Sequence, residues 1–137
     1  MTVNAQQKPD FSGDWTLNRQ ASTLSPAAAA FQSGGMRIDH REPIFRCQAT
    51  YVADGKPIEY AFELRSGGPG LRWDGDALVS TFDTKSPDGD VTISFRYELQ
   101  EGGRRLRAAE QLRGGGRDQD NVWVFELVSA PGGECRF

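Results

Sequence analysis

The sequence predicts an all-β protein: a single antiparallel up-and-down β-barrel with one short helix near the N-terminus. Three observations carry that prediction. From Gly35 onward apolar and polar residues alternate with period two. Clusters of glycine, proline and aspartate recur between these runs at hairpin spacing. The chain has 137 residues, enough for one domain that buries roughly two-thirds of its unfolded surface and too few for a second. The expected organisation is a disordered tail or processing remnant over residues 1–9, the barrel over 10–129 and a C-terminal tail over 130–137.

Taken in order, the first strand is Phe11-Ser12-Gly13-Asp14-Trp15-Thr16-Leu17-Asn18. Gly13 lacks the Cβ that would clash where a strand bends, and Trp15 brings a large apolar surface whose indole N–H needs an acceptor once buried. A helix is expected over residues 25–32, with Ser25 as cap, Pro26 at the first helical position and four alanines behind it. Strands follow at 36–40, 44–52 and 57–64, the last two joined by Ala53-Asp54-Gly55. After Ser66-Gly67-Gly68-Pro69-Gly70 come strands at 71–73 and 77–84, joined at Asp74-Gly75. Pro87-Asp88-Gly89 opens 91–99, Glu101-Gly102-Gly103 leads to 106–112, and Gly114-Gly115-Gly116 leads to 122–128. Nine strands in a meander suit an up-and-down barrel better than a sandwich.

The clearest wall is the strand at 91–99, where Val91, Ile93, Phe95, Tyr97 and Leu99 share one face and Thr92, Ser94, Arg96 and Glu98 the other. A one-residue slip would turn that apolar face to water, so its register is strongly specified. Ile58, Tyr60, Phe62 and Leu64 form a second inward set. The strand at 44–52 is ambiguous, because Ile44, Arg46, Gln48 and Thr50 alternate with Phe45, Cys47, Ala49 and Tyr51. Near the C-terminus Glu110 shares a face with Leu106, Ala108 and Leu112, and Glu126 with Val122, Val124 and Val128. Either acid could enter the barrel; a bulge could turn it outward, or Arg46 or Arg96 could pair with it.

The opener resembles the G-x-W first strand of lipocalins and their calycin relatives. The resemblance continues through Ile38-Asp39-His40, Glu42-Pro43-Ile44, Ala53-Asp54-Gly55-Lys56 and Trp73-Asp74-Gly75-Asp76-Ala77-Leu78-Val79, and covers roughly residues 9–128. It is to the small lipocalin-like proteins of bacterial envelopes, within the wider calycin group; residues 121–128 lack the basic side chain that lipocalins proper pack over the first-strand tryptophan. The resemblance implies a cup whose floor is plugged by Trp15 and whose other end is an open mouth. It also implies that isomerase, cyclase or lyase activity without a cofactor is among the chemistries such a barrel can host.

Charge and motif content exclude several classes. The net charge is −3 and arginines are interspersed with carboxylates, so no basic stripe suits nucleic acid. No run approaches the ~18 apolar residues of a membrane span, which predicts a soluble product. Asn4-Ala5-Gln6-Gln7 reads like the start of a mature exported protein, so a periplasmic or secreted location is expected and a cytoplasmic one stays open. The glycine clusters are hairpin loops, because none opens a helix with a lysine at phosphate-loop spacing. Arg104, Arg105, Arg107, Arg113 and Arg117 form a basic ribbon that Glu101 and Asp118 balance as a solvated outer face.

His40 is the only histidine and hence the candidate acid-base group, but its setting in Asp39-His40-Arg41-Glu42 favours a solvated turn residue. One histidine without a partner at ligand spacing makes no transition-metal site, and no cofactor is expected. Cys47 and Cys135 are either one disulfide stapling the tail to the wall or two free thiols.

The leading functional expectation is a binding module for a small apolar or amphipathic molecule, because a barrel of this size holds either its own side chains or one small ligand. Phe45, Tyr51, Tyr60, Phe62, Phe82, Phe95, Tyr97 and Trp123 could line it, with Arg46, Glu110 and His40 as polar groups. The same aromatics could fill it, making a structural or protein-interaction domain. No nucleophile elbow, zinc signature or dinucleotide fingerprint is present, so an enzyme is the least favoured expectation.

Overall fold

A computed structural model describes residues 8–116 and 118–129 of the chain. Nine strands form one antiparallel sheet: β1 (Gly13–Leu17), β2 (Phe31–Arg41), β3 (Ile44–Ala53), β4 (Lys56–Arg65), β5 (Leu71–Asp74), β6 (Ala77–Ser86), β7 (Gly89–Gln100), β8 (Arg105–Gly114) and β9 (Gln119–Ser129). The sheet curls into a half-barrel with an apolar concave face and a charged convex face. Among the described residues there is almost no helix: two single 3-10 turns occupy Ala28–Ala30 and Glu101–Gly103.

The spatial order is β4-β3-β2-β1-β9-β8-β7-β6-β5, so each strand pairs with its sequence neighbour, the first pairs with the last, and the ring is interrupted between β4 and β5. Strand parity explains the interruption. All the pairings are antiparallel, and nine is odd, so stepping around the ring leaves β4 and β5 pointing the same way. A parallel pair needs a crossover of about a dozen residues or more, whereas these two strands are joined only by residues 66–70. The seam therefore stays open. β5 is short and pairs with β6 only from Ala77 to Ser80, which leaves residues 82–86 of β6 and the outer edge of β4 without a ladder partner on the seam side among the described residues.

Gly13 has φ 147°, a conformation that side chains with a Cβ rarely adopt, and the β1–β9 register shifts between Asp14 and Trp15. The opener therefore bends as its glycine suggests. Trp15 is 3% exposed and its Nε1–H donates to the Phe11 carbonyl at 3.0 Å, which satisfies the one polar atom of a buried ring. Phe11 itself stands edge-on to Phe45 and tilted against Trp73, with Leu78, Leu106 and Phe125 completing the core.

The expected helix over residues 25–32 is not formed. Ser25 does not cap a helix: its hydroxyl donates to Gln119 Oε1 at 2.6 Å and its N–H to Asn121 Oδ1 at 2.7 Å. Four alanines offer too little apolar surface to hold a helix on the sheet. Phe31 instead starts β2 and packs its ring at 5.3 Å from Tyr51 and 5.7 Å from Trp123. β2 then runs through Gly34, where a Cβ would collide with the Tyr51 ring lying over it.

Three orientation questions are settled by register. β3 turns Phe45, Cys47, Ala49 and Tyr51 inward, so Arg46 faces out and pairs across the strand with Glu63 at 2.7 Å. Glu110 faces in. Glu126 faces out, bonded by Arg105 and Asn18, because the inward residues of β9 are Trp123, Phe125 and Leu127. Of the basic ribbon, Arg105 pairs with Glu126, Arg107 with Glu98 and Arg113 with Asp120, whereas Arg117 lies outside the described residues.

Candidate functional site: an aromatic cavity with a lateral seam

The concave face encloses a cavity of about 440 Å³. Its walls come from both arms of the half-barrel: Tyr60 and Phe62 on β4, Phe82 on β6, Phe95 and Tyr97 on β7, and Trp123 on β9, so these six aromatics of the sequence-predicted set border one space. Phe31, Tyr51, Met36 and Cys47 border it too. Phe45 does not; it is buried beneath, its ring 5.7 Å from Tyr97 and stacked on Phe62 at 6.2 Å. Phe95 and Tyr97, two residues apart on one strand face, lie stacked at 5.6 Å with planes 8° apart.

Exposure within this set follows the seam. Tyr60, Phe62 and Phe82 are 50%, 38% and 48% exposed; the first two stand on β4, which borders the interruption, and Phe82 on the part of β6 that β5 does not cover. Between them lies Gly70, whose carbonyl accepts from the Thr81 N–H at 3.2 Å and whose missing Cβ would stand 3.8 Å from Leu64 Cδ2. The seam is thus lipped with aromatic rings.

Polar atoms in the cavity are few and incompletely satisfied. Ser80 is 2% exposed, and its hydroxyl has no hydrogen-bond partner among the described residues; the same holds for the hydroxyls of Tyr51 and Tyr97. Burial raises the pKa of both phenols, assisted by the negative charges that Cys47 and Glu110 would carry nearby, so both remain protonated donors. Burial also pushes the Cys47 thiol up to about 12, and its Sγ contacts Met36 Sδ at 3.7 Å. Glu110 Oε1 accepts from Trp123 Nε1–H at 2.8 Å and Asn121 Nδ2–H at 3.1 Å, while Oε2 has no partner among the described residues. Buried polar groups are ordinarily paired, so these free valences are hydrogen-bonding capacity directed at the cavity's contents.

Two expected site residues lie elsewhere. Arg46 is on the convex face with Glu63. His40 is neither a solvated turn residue nor a cavity group: it is 5% exposed at the floor, its Nδ1 accepting from the Phe11 N–H at 3.2 Å and its Nε2 lying 2.6 Å from Glu42 Oε2. The β2–β3 turn and the Phe11 segment fold over it. A Cys47–Cys135 bridge lies outside the described residues, since Cys135 is beyond them. Ser80 and Phe31 were missed by sequence reasoning. Ser80 could have been found from its place between Leu78 and Phe82 on the inward parity of β6; Phe31 was hidden by the expected helix. Among the described residues no three His, Cys, Asp or Glu side chains gather as a metal site, and no helix is long and apolar enough to cross a membrane.

Fold and site together define an all-β curled antiparallel half-barrel around an aromatic cavity. No family model matches the sequence, and no curated protein matches it. Among solved structures the chain is similar in fold to secretory abundant heat soluble protein 4 from Ramazzottius varieornatus, with a TM-score of 0.51 over 90% of this chain and 99% of that one at 12% identity. That neighbour has a β-barrel-like fold.

Proposed function

We propose that this chain is a binding module that holds one small apolar or amphipathic molecule in its concave cavity. The observation that carries the reading is the combination of about 440 Å³ of aromatic-walled space with buried hydroxyls of Ser80 and Tyr97 that no group among the described residues satisfies. Ligand sites of this size class are mostly apolar with a few convergent polar atoms. A solidly packed barrel would leave no such space, so the cavity supports the binding reading over a filled interaction domain. The bent Gly13 and the buried Trp15 with its satisfied indole support a calycin-like reading of the barrel.

Titration with N-phenylnaphthylamine, an uncharged probe that fluoresces in apolar surroundings, tests the proposal. A saturable, blue-shifted signal at one probe per chain is expected. A response that rises without saturation would sink the reading.

A further inference from the structure

Among the described residues Glu110 is the only formally charged side chain on the cavity wall, and no lysine, arginine or histidine borders that space. Arg46 and Arg96, on two of the strands that wall the cavity, instead stand on the convex face, paired with Glu63 and Asp74. An anionic head group entering the cavity would therefore meet a carboxylate and no counter-ion. The carboxylate is also held in place: Trp123 and the buried Asn121 both bond to Oε1, which orients the residue and leaves Oε2 open. Beside it the rings of Phe31, Tyr51 and Trp123 are mutually close, with centroids 5.3 to 5.7 Å apart. Aromatic faces next to a carboxylate in a desolvated site attract a cation through the ring quadrupole and through direct charge pairing.

We propose that the molecule bound here is a cationic amphiphile, a protonated amine on an apolar body, with its ammonium group donating to Glu110 Oε2 beside Phe31, Tyr51 and Trp123. The inference rests on the cavity being a binding site and adds the charge of the guest. An uncovered carboxylate in apolar surroundings is costly, and an ammonium supplies the missing partner. The apolar body runs past Phe95 and Phe62 toward the seam.

The test is displacement of N-phenylnaphthylamine by decylamine, decanol and decanoate, which share a chain and differ in head-group charge. Decylamine should bind about tenfold tighter than decanol or better, and decanoate more weakly than decanol. Glu110→Gln keeps the Oε1 acceptor for Trp123 and Asn121 and removes the charge, so in that variant decylamine should lose its advantage over decanol. Equal wild-type affinities for amine and alcohol, or tighter binding of the acid, would overturn the charge assignment while leaving the cavity reading intact. Failure of all three to displace the probe would overturn both. The wild-type order decides the matter even if the variant does not fold.

Discussion

His40 Nε2 lies 2.6 Å from Glu42 Oε2, and because Nδ1 already accepts the Phe11 N–H, the ring proton sits on Nε2 and is donated to the carboxylate. Glu42 Oε1 meanwhile accepts from Ser66 Oγ at 2.7 Å and Trp73 Nε1–H at 3.1 Å. One carboxylate thereby joins the β2–β3 turn, the connection at residues 66–70 and β5. Replacing His40 with alanine removes a buried ring and strands two partners, so a loss of about 2–4 kcal/mol in urea unfolding is expected.

Acid should weaken the fold through the same group. Burial raises the Glu42 carboxyl, but hydrogen bonds from Ser66, His40 and Trp73 outweigh it and leave the folded value below the ordinary 4.5. Arg105 and Asn18 hold Glu126 below 4.5 in the same way, and Arg96 holds Asp74 below 3.8. A carboxyl whose pKa is lower folded than unfolded binds more protons when unfolded, so its contribution is complete above the ordinary value and disappears as pH falls through the folded one. Urea midpoints followed from neutrality to about pH 3 should fall below the ordinary carboxyl range, and Glu42→Gln should flatten that fall. Midpoints that stay level across this range would contradict the assignment.

Trp15→Ala should cost about 3–5 kcal/mol, since it empties the core of a large ring. Trp15→Phe keeps most of the packing but leaves the Phe11 carbonyl without its donor, so about 1–3 kcal/mol is expected. Chemical denaturation of the two variants separates packing from hydrogen bonding.

Gly34 and Gly70 should respond differently to alanine. At Gly34 the new methyl meets the Tyr51 ring, and displacing a packed aromatic costs about 1–3 kcal/mol while reshaping the cavity wall. At Gly70 the nearest atoms are at ordinary contact distance, so stability should hold within about 0.5 kcal/mol. Thermal melts and probe affinity measured on both variants check the contrast.

Cys47 should resist alkylation in the folded protein, because a thiol raised to about 12 holds almost no thiolate near neutrality and its side chain is buried. Peptide mapping after iodoacetamide should find Cys47 unmodified until denaturant is added. Rapid native labelling would place that side chain elsewhere.

How much of this was legible in the sequence varies strand by strand. β7 declared its faces, because every second residue from Val91 to Leu99 is apolar and those between are polar. β9 misled for the opposite reason: Val122, Val124 and Val128 are as apolar as the inward set. Register with β8 decides the question, aligning Trp123 with Ala108 and Phe125 with Leu106. The outward valines are accommodated because the stretch after β1 runs along them, with Thr23 bridged to Val122 and the Asn18 N–H bonded to the Val124 carbonyl. The charge of the cavity was only half visible, since Arg46 and Glu110 both sat on strands of uncertain face and only pairing shows that one left and one stayed. The 25–32 segment was misjudged because local propensity favoured a helix there while a distant ring pocket claimed Phe31.

Nine strands cannot alternate around a closed circle, and that arithmetic has a mechanical meaning. In an even-numbered barrel the girth is locked by an unbroken belt of hydrogen bonds, and a wider guest must break some of them. Here the belt has a buckle. Between β4 and β5 no ladder runs among the described residues; what spans the slit is isolated bonds, Thr81 to Gly70 and Glu42 to Ser66 and Trp73. A change of girth at that point is opposed by a few separate bonds and by side-chain packing, and costs no rung of any strand pair.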